Sequence, residues 1–172
     1  MLECYSNRLT SLDVSNNTAL TELYCNDNQL TSFDVSKNTA LTVLDCSNTK
    51  LISLDVSNNT ELTELYFNDN QLTSLDVSNN VELTVFVCSR NQLTTLDLSK
   101  NVALTDLTCD GNPTITTLSI ASAYGNESVS TGLATLITDA TSTTGTLNIY
   151  GGDNTTVHTA ATTKGWTVNT NL

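Results

Sequence analysis

The chain is short of positive charge, proline, glycine and histidine, and each shortage narrows what it can be. Six Lys and Arg stand against eighteen Asp and Glu, a net charge of -12 over 172 residues. A nucleic-acid binder needs cations to neutralise phosphates, and docking on an anionic membrane needs them too, so neither partner is expected. One Pro and seven Gly exclude a flexible linker and a collagen-like repeat. No apolar run approaches the length that spans a bilayer, so no membrane insertion is expected. Met1-Leu2-Glu3-Cys4 carries neither the basic nor the apolar part of a signal peptide. The single His, His158, lies far in sequence from every Cys, which leaves a thiol nucleophile without a base.

What the chain has instead is repetition. Four complete copies of a 21-residue unit run from Leu20 to Ala40, Leu41 to Glu61, Leu62 to Glu82 and Leu83 to Ala103. A partial copy, Leu2 to Ala19, precedes them. A sixth begins at Leu104 and carries one inserted residue near Pro113 and Thr114. Each copy reads as two short half-buried strands, LxxLxCxxN and LTSLDVSxN, because apolar and polar residues alternate in both. Both halves end at Asn, which tolerates turn geometry.

Stacked one strand spacing apart, about 4.8 Å, the copies give uniform inner columns. One is Leu20, Leu41, Leu62, Leu83 and Leu104; another is Leu23, Leu44, Leu65, Phe86 and Leu107. The second halves add a column from Leu9 to Ile115, one from Leu12 to Leu118 and one from Val14 to Ile120. A single copy buries too few side chains to offset the entropy of ordering it, so the copies must stack as a solenoid.

Cys4, Cys25, Cys46, Cys88 and Cys109 fall in one column, with Phe67 at the fourth of its six places. A position that accepts Cys or Phe is a buried apolar slot. Five evenly spaced cysteines make a poor disulfide framework, and no CxxC element offers zinc a converging site.

LTELYCNDNQLTSFDVSKNTA resembles the 21-residue leucine-rich repeats of the internalin-J type, known for a cysteine ladder. The resemblance covers residues 2–120. It implies a right-handed curved solenoid, mainly β, with a parallel sheet on its concave side. It also implies a bacterial surface or secreted protein whose repeats bind a partner. Surface attachment is what the resemblance alone implies; the mid-repeat start leads to the expectation of a fragment, or of an N-terminal end that meets another chain. The departures are Phe67 in the cysteine column and Thr49 in the first Asn column, where Thr49 is expected to loosen the turn.

The repeats are assigned to residues 1–120 and a capping segment continuing the solenoid to 121–172. In that segment a helix is expected from Val129 to Ser142, capped by Ser128 or Ser130. A strand from Gly145 to Tyr150 ends at Gly151-Gly152. A second helix runs from Thr155 to Lys164 with Asn154 as cap and Gly165 as stop. A last strand covers Trp166 to Asn169. The expected β-α-β-α-β cap continues the parallel sheet with its helices on the outer side. The chain starts in mid-repeat, so its uncapped N-terminal end offers an edge for self-association.

Comparing copies with one another separates structural from variable outward positions. Second-half outward residues are uniform: a Ser column, then Asp13, Asp34, Asp55, Asp76 and Asp97, then a second Ser column. First-half outward residues vary, and Tyr and Val beside carboxylates suit a protein interface. The candidate contact residues are therefore Tyr5, Glu22, Tyr24, Val43, Asp45, Glu64, Tyr66, Val85, Val87 and Arg90. Copies alternate in pairs, as if a 42-residue unit had been duplicated, which puts Tyr24 and Tyr66 two strands apart, about 10 Å. The leading expectation is a non-enzymatic recognition or adhesion module that takes a protein or glycoprotein on its concave face, with no catalytic residue, cofactor or metal assigned. The rival is an ice- or lattice-binding surface built from the recurring Thr residues. Calcium on the Asp column is a lesser alternative, since no EF-hand or glycine-rich nonapeptide pattern is present.

Overall fold

A computed structural model describes residues 1–121, 127–150 and 154–170. In chain order the elements are β1 (Leu2–Glu3), β2 (Glu22–Tyr24), β3 (Val43–Asp45), β4 (Glu64–Tyr66), β5 (Val85–Val87), β6 (Thr95–Leu98), β7 (Asp106–Thr108), β8 (Thr117–Ala121), α1 (Glu127–Asp139), β9 (Thr146–Tyr150), α2 (Thr155–Lys164) and β10 (Thr167–Thr170). Among the described residues no helix is long and apolar enough to cross a membrane.

The first halves of the copies form a six-stranded parallel sheet in the order β1-β2-β3-β4-β5-β7. Its register is the 21-residue period: Leu23 pairs with Leu44, Leu44 with Leu65 and Leu65 with Phe86. The ladder continues past each strand, with Cys25 N–H on Asp45 O at 2.8 Å and Cys46 N–H on Tyr66 O at 2.9 Å. The inner columns are dry. Leu23, Leu44, Leu65, Phe86, Leu30, Leu51, Leu72 and Val56 are all buried. The cysteines are free thiols, buried except for Cys4 at the first coil. Burial pushes the Cys25 thiol up to about 12, and raises Cys46 and Cys88 as well.

Two columns of Asn bolt consecutive coils together. Asn91 donates its Nδ2 to Cys88 O in its own coil and to Phe67 O in the coil before, while its Oδ1 accepts Leu72 N–H at 3.0 Å. Asn28, Asn70 and Asn112 repeat this pattern. The second column bridges coils through its donors alone: Asn59 donates to Val35 O and Asn38 O, and Asn80 to Val56 O and Asn59 O, while their Oδ1 atoms are buried with no hydrogen-bond partner among the described residues. Thr49 interrupts the first column. Its hydroxyl lies within reach of Cys46 O and of Asn70 Oδ1 in the following coil, at 3.0 and 2.6 Å, but it has no amide to reach the coil before, and among the described residues no acceptor takes its place for Leu30 N–H. The turn at Thr49 is thus looser by one backbone bond.

Three expectations need correction. The second halves of the early copies do not pair as strands. In each, the Asp carboxylate accepts the N–H of the Ser two residues on, as Asp55 does from Ser57 at 2.9 Å. The same bond recurs in the copy that does pair, from Ser99 N–H to Asp97 at 2.9 Å, so it does not by itself decide the pairing. Pairing begins only where β6 meets β8, whose Ser119 stands opposite Asp97. Second, β8, β9 and β10 extend β6 into a separate four-stranded sheet, not the six-stranded one. The helices therefore follow the column of Cys-bearing strands, α1 packing on β7 and α2 on α1. They stand on the same side as the six-stranded sheet rather than opposite it. Gly132 allows this, because a Cβ there would lie 2.4 Å from Leu107 O. Third, α1 spans Glu127–Asp139, so Ser128 and Ser130 lie inside it. It ends early because Thr141 N–H and its hydroxyl both turn to Pro113 O, at 2.7 and 2.8 Å.

α2 keeps its expected bounds, with Asn154 accepting Val157 N–H and Gly165 left-handed at φ 89. The final strand is shifted to Thr167–Thr170, and Trp166 is buried over Gly145, its indole N–H on Ser142 O. The expected stop at Gly151-Gly152 lies outside the described residues.

Thr49→Asn restores the missing bridge. It is expected to stabilise the fold by about 1–2 kcal/mol, read as a higher urea midpoint at unchanged slope; an unchanged or lower midpoint contradicts the ladder.

Candidate functional site

In a strand, alternate side chains face opposite ways. With Leu23, Leu44, Leu65 and Phe86 inward, the residues on either side must face out. The register then builds two outward columns. Glu22, Val43, Glu64, Val85 and Asp106 stand beside one another, as do Glu3, Tyr24, Asp45, Tyr66, Val87 and Thr108. Eight of the ten sequence-predicted contact residues, Glu22 to Val87, therefore share one continuous surface. All eight are half-buried by their neighbours.

The tyrosines are held along their own strands. Tyr24 donates its hydroxyl to Glu22 Oε2 at 3.2 Å, and Tyr66 to Glu64 Oε2 at 2.8 Å. Burial, then the hydrogen bond to Glu64, pushes the Tyr66 phenol up to about 12; Tyr24 is raised for the same reasons. Between them, Asp45 accepts both the N–H and the hydroxyl of Ser47. Rings and carboxylates are thus fixed before anything binds.

Two predicted residues sit apart. Tyr5 is exposed past the end of β1. Arg90 lies in the turn beyond β5 with a left-handed φ of 52, in a column with Asp27, Asn48, Asp69 and Gly111. Its guanidinium is engaged by both oxygens of Asp69. That contact holds the Asp69 carboxyl below its usual range.

The sequence reading missed the far end of this surface. Where α1 replaces the next strand it stands up as a wall beside β7. An open groove of about 360 Å³ runs along the step, lined by Leu107, Thr108, Asp110, Ser128, Thr131 and Thr135. Only the helical period of 127–139 pointed to it, and that pattern does not say which side the helix takes.

The two rival surfaces are engaged in part by internal bonds. The hydroxyls of Thr42, Thr63, Thr84 and Thr105 each donate to a Thr carbonyl of the preceding coil at 3.1 Å. Hydrogen bonds from Ser15, Ser36, Ser57 and Ser78 hold Asp13, Asp34, Asp55 and Asp76 below the usual carboxylate range. Among the described residues no three His, Cys, Asp or Glu side chains are arranged to hold a metal.

No protein-family model and no curated protein sequence matches the chain. Solved structures do. The functional domain of InlJ from Listeria monocytogenes, which includes a cysteine ladder, is 39% identical, with a TM-score of 0.66 over 66% of this chain and 25% of that one. The chain thus spans about a quarter of that relative's length. A leucine-rich-repeat protein of Leptospira interrogans is 16% identical, with a TM-score of 0.58 over 95% of this chain and 53% of that one. The plant peptide hormone receptor RGFR1, in complex with RGF2, is 18% identical, with a TM-score of 0.54 over 100% of this chain and 35% of that one. The last two likenesses concern the fold alone.

If Glu64 holds Tyr66 as described, Glu64→Gln lowers the Tyr66 phenol part of the way from about 12 toward its ordinary 10. Tyrosine ring-carbon NMR against pH measures it; no change detaches the ring from Glu64.

Proposed function

We propose, for a chain whose repeats are leucine-rich repeats of the internalin-J, cysteine-ladder type, that it is a non-enzymatic recognition module. It takes a protein or glycoprotein on the outward face of its six-stranded sheet, at the surface of a bacterium or after secretion. The observation that carries this reading is the pair of Glu–Tyr units, Glu22–Tyr24 and Glu64–Tyr66, repeated in register two strands apart. A tyrosine already held by its own strand loses little freedom on binding, and aromatic anchors supply much of an interface's energy.

The backbone pattern supports a concave shape for that face. Coils are joined along β1 to β5 and β7 by a continuous ladder, while the opposite halves share only isolated backbone bonds, such as Gln29 N–H to Leu9 O and Gln71 N–H to Leu51 O, until β6. Coils pinned on one side curve toward it. Residues 1–120 serve as the repeat unit and 121–172 as its cap, with the α1 wall ending the contact face. The relatives are in keeping with this: one is a functional domain with the same ladder, and another holds a peptide hormone in its complex.

Capture of partners from host or environmental extracts tests the reading. Replacing Tyr24 and Tyr66 together by Ala is expected to weaken capture by about 30-fold or more, taking roughly 2 kcal/mol for lost anchors. Asp55→Asn with Asp76→Asn, on the opposite side of the coil, is expected to leave capture intact. The reverse pattern moves the contact face to the Asp side.

A further inference from the structure

Resting on that reading of the six-stranded face, the charge and spacing of its outward residues say more about what it takes. Strands β1 to β5 and β7 contain no Lys or Arg. The cation nearest in the coil, Arg90, is engaged by Asp69. Carboxylates occur at regular intervals: Glu22, Glu64 and Asp106 occupy every second strand of one column, with Val43 and Val85 between them. Tyr24 and Tyr66 stand beside the first two. Asp45, on the intervening strand, adds negative charge between the rings.

Two strand spacings come to about 10 Å. A polyproline II segment repeats its side-chain direction every three residues, at about 3.1 Å per residue, or roughly 9.3 Å. A fully extended strand alternates faces every residue, so its residues i and i+3 point opposite ways. The period of the carboxylate stations is thus close to that of a three-fold extended chain. An ammonium or guanidinium at each station would meet a carboxylate, and at two of them the neighbouring tyrosine ring as well. The short residues between would pass over Val43 and Val85. The α1 wall beyond Asp106 ends the track, with Ser128 hydroxyl directed at the Asp106 carboxylate at 3.4 Å.

We propose that the partner presents a basic polyproline II segment with Lys or Arg at every third residue, laid across the strands so that three successive cations fall on Glu22, Glu64 and Asp106. The segment runs along the solenoid axis, and its apolar residues rest on the two valines. Association is steered by the acidic field of the chain and weakens with salt.

Three synthetic peptides of equal length and proline content test it against the intact chain by calorimetry. The first carries Lys at every third position, the second the same residues with the lysines clustered, and the third Glu in place of Lys. The first is expected to bind at least tenfold more tightly than the second, and the third not at all. Glu22→Gln with Glu64→Gln, checked for an unchanged melting temperature, is expected to cost the first peptide tenfold or more. Equal binding of both lysine peptides overturns the spacing, and unimpaired binding by the Gln variant overturns the stations. If neither lysine peptide binds, while Tyr24→Ala with Tyr66→Ala still abolishes capture of the natural partner, this proposal fails and recognition by the sheet face stands.

Discussion

A buried amide that reaches two coils at once is what the rest of this structure depends on. Every coil must reverse direction twice, and each reversal leaves backbone groups that no strand partner can meet. An Asn side chain offers an acceptor and two donors, enough to meet one group above and two around it. Asn91 does this for Leu72, Phe67 and Cys88. Because each bridge spans 19 to 24 residues, it fixes the position of one coil on the next as well as satisfying a turn. The leucine columns, the dry thiols and the level six-stranded face all follow from that superposition.

Once coils are locked in register, variation has defined places to go. Inward changes must be compensated by the coil above or below. Phe67 in the cysteine column and Phe86 in the leucine column sit in adjacent coils, their ring centroids 5.3 Å apart at a tilt of 54°, so the two enlargements pack against each other. Outward changes on the first halves cost little, and there the copies alternate Glu-Leu-Tyr with Val-Leu-Asp or Val-Phe-Val. A rigid lattice beneath and a two-coil alternation above give a surface whose chemistry repeats at a defined spacing.

Most of the solenoid was legible in the sequence because its signals are local and repeated. The inner columns, the buried cysteine slot, the second helix with its Asn154 and Gly165 caps, and the weak point at Thr49 could all be read from spacing and residue type. So could the pairing of Tyr24 with Tyr66 across two strands. What escaped were choices made between coils. The sequence shows two half-strands per copy, but only the backbone partners decide which half ladders. The side taken by α1 depends on β8 pairing with β6 and on the bare approach of Gly132 to Leu107. Its end depends on the Pro113 carbonyl, 28 residues from Thr141. The groove beside β7 follows from those same long-range contacts, which no window of sequence contains.

The amide bridges have a direct readout in hydrogen exchange of the leucine amides they serve. Leu51, Leu72 and Leu93 each give their N–H to an Asn Oδ1 of the following coil, whereas the equivalent Leu30 faces Thr49. All four are buried leucines in the same column, so burial does not distinguish them. Residue-resolved exchange on the native chain is predicted to show strong protection at Leu51, Leu72 and Leu93 and markedly faster exchange at Leu30. Equal protection at all four positions, or rapid exchange at all of them, would contradict a solenoid held in register by its asparagines.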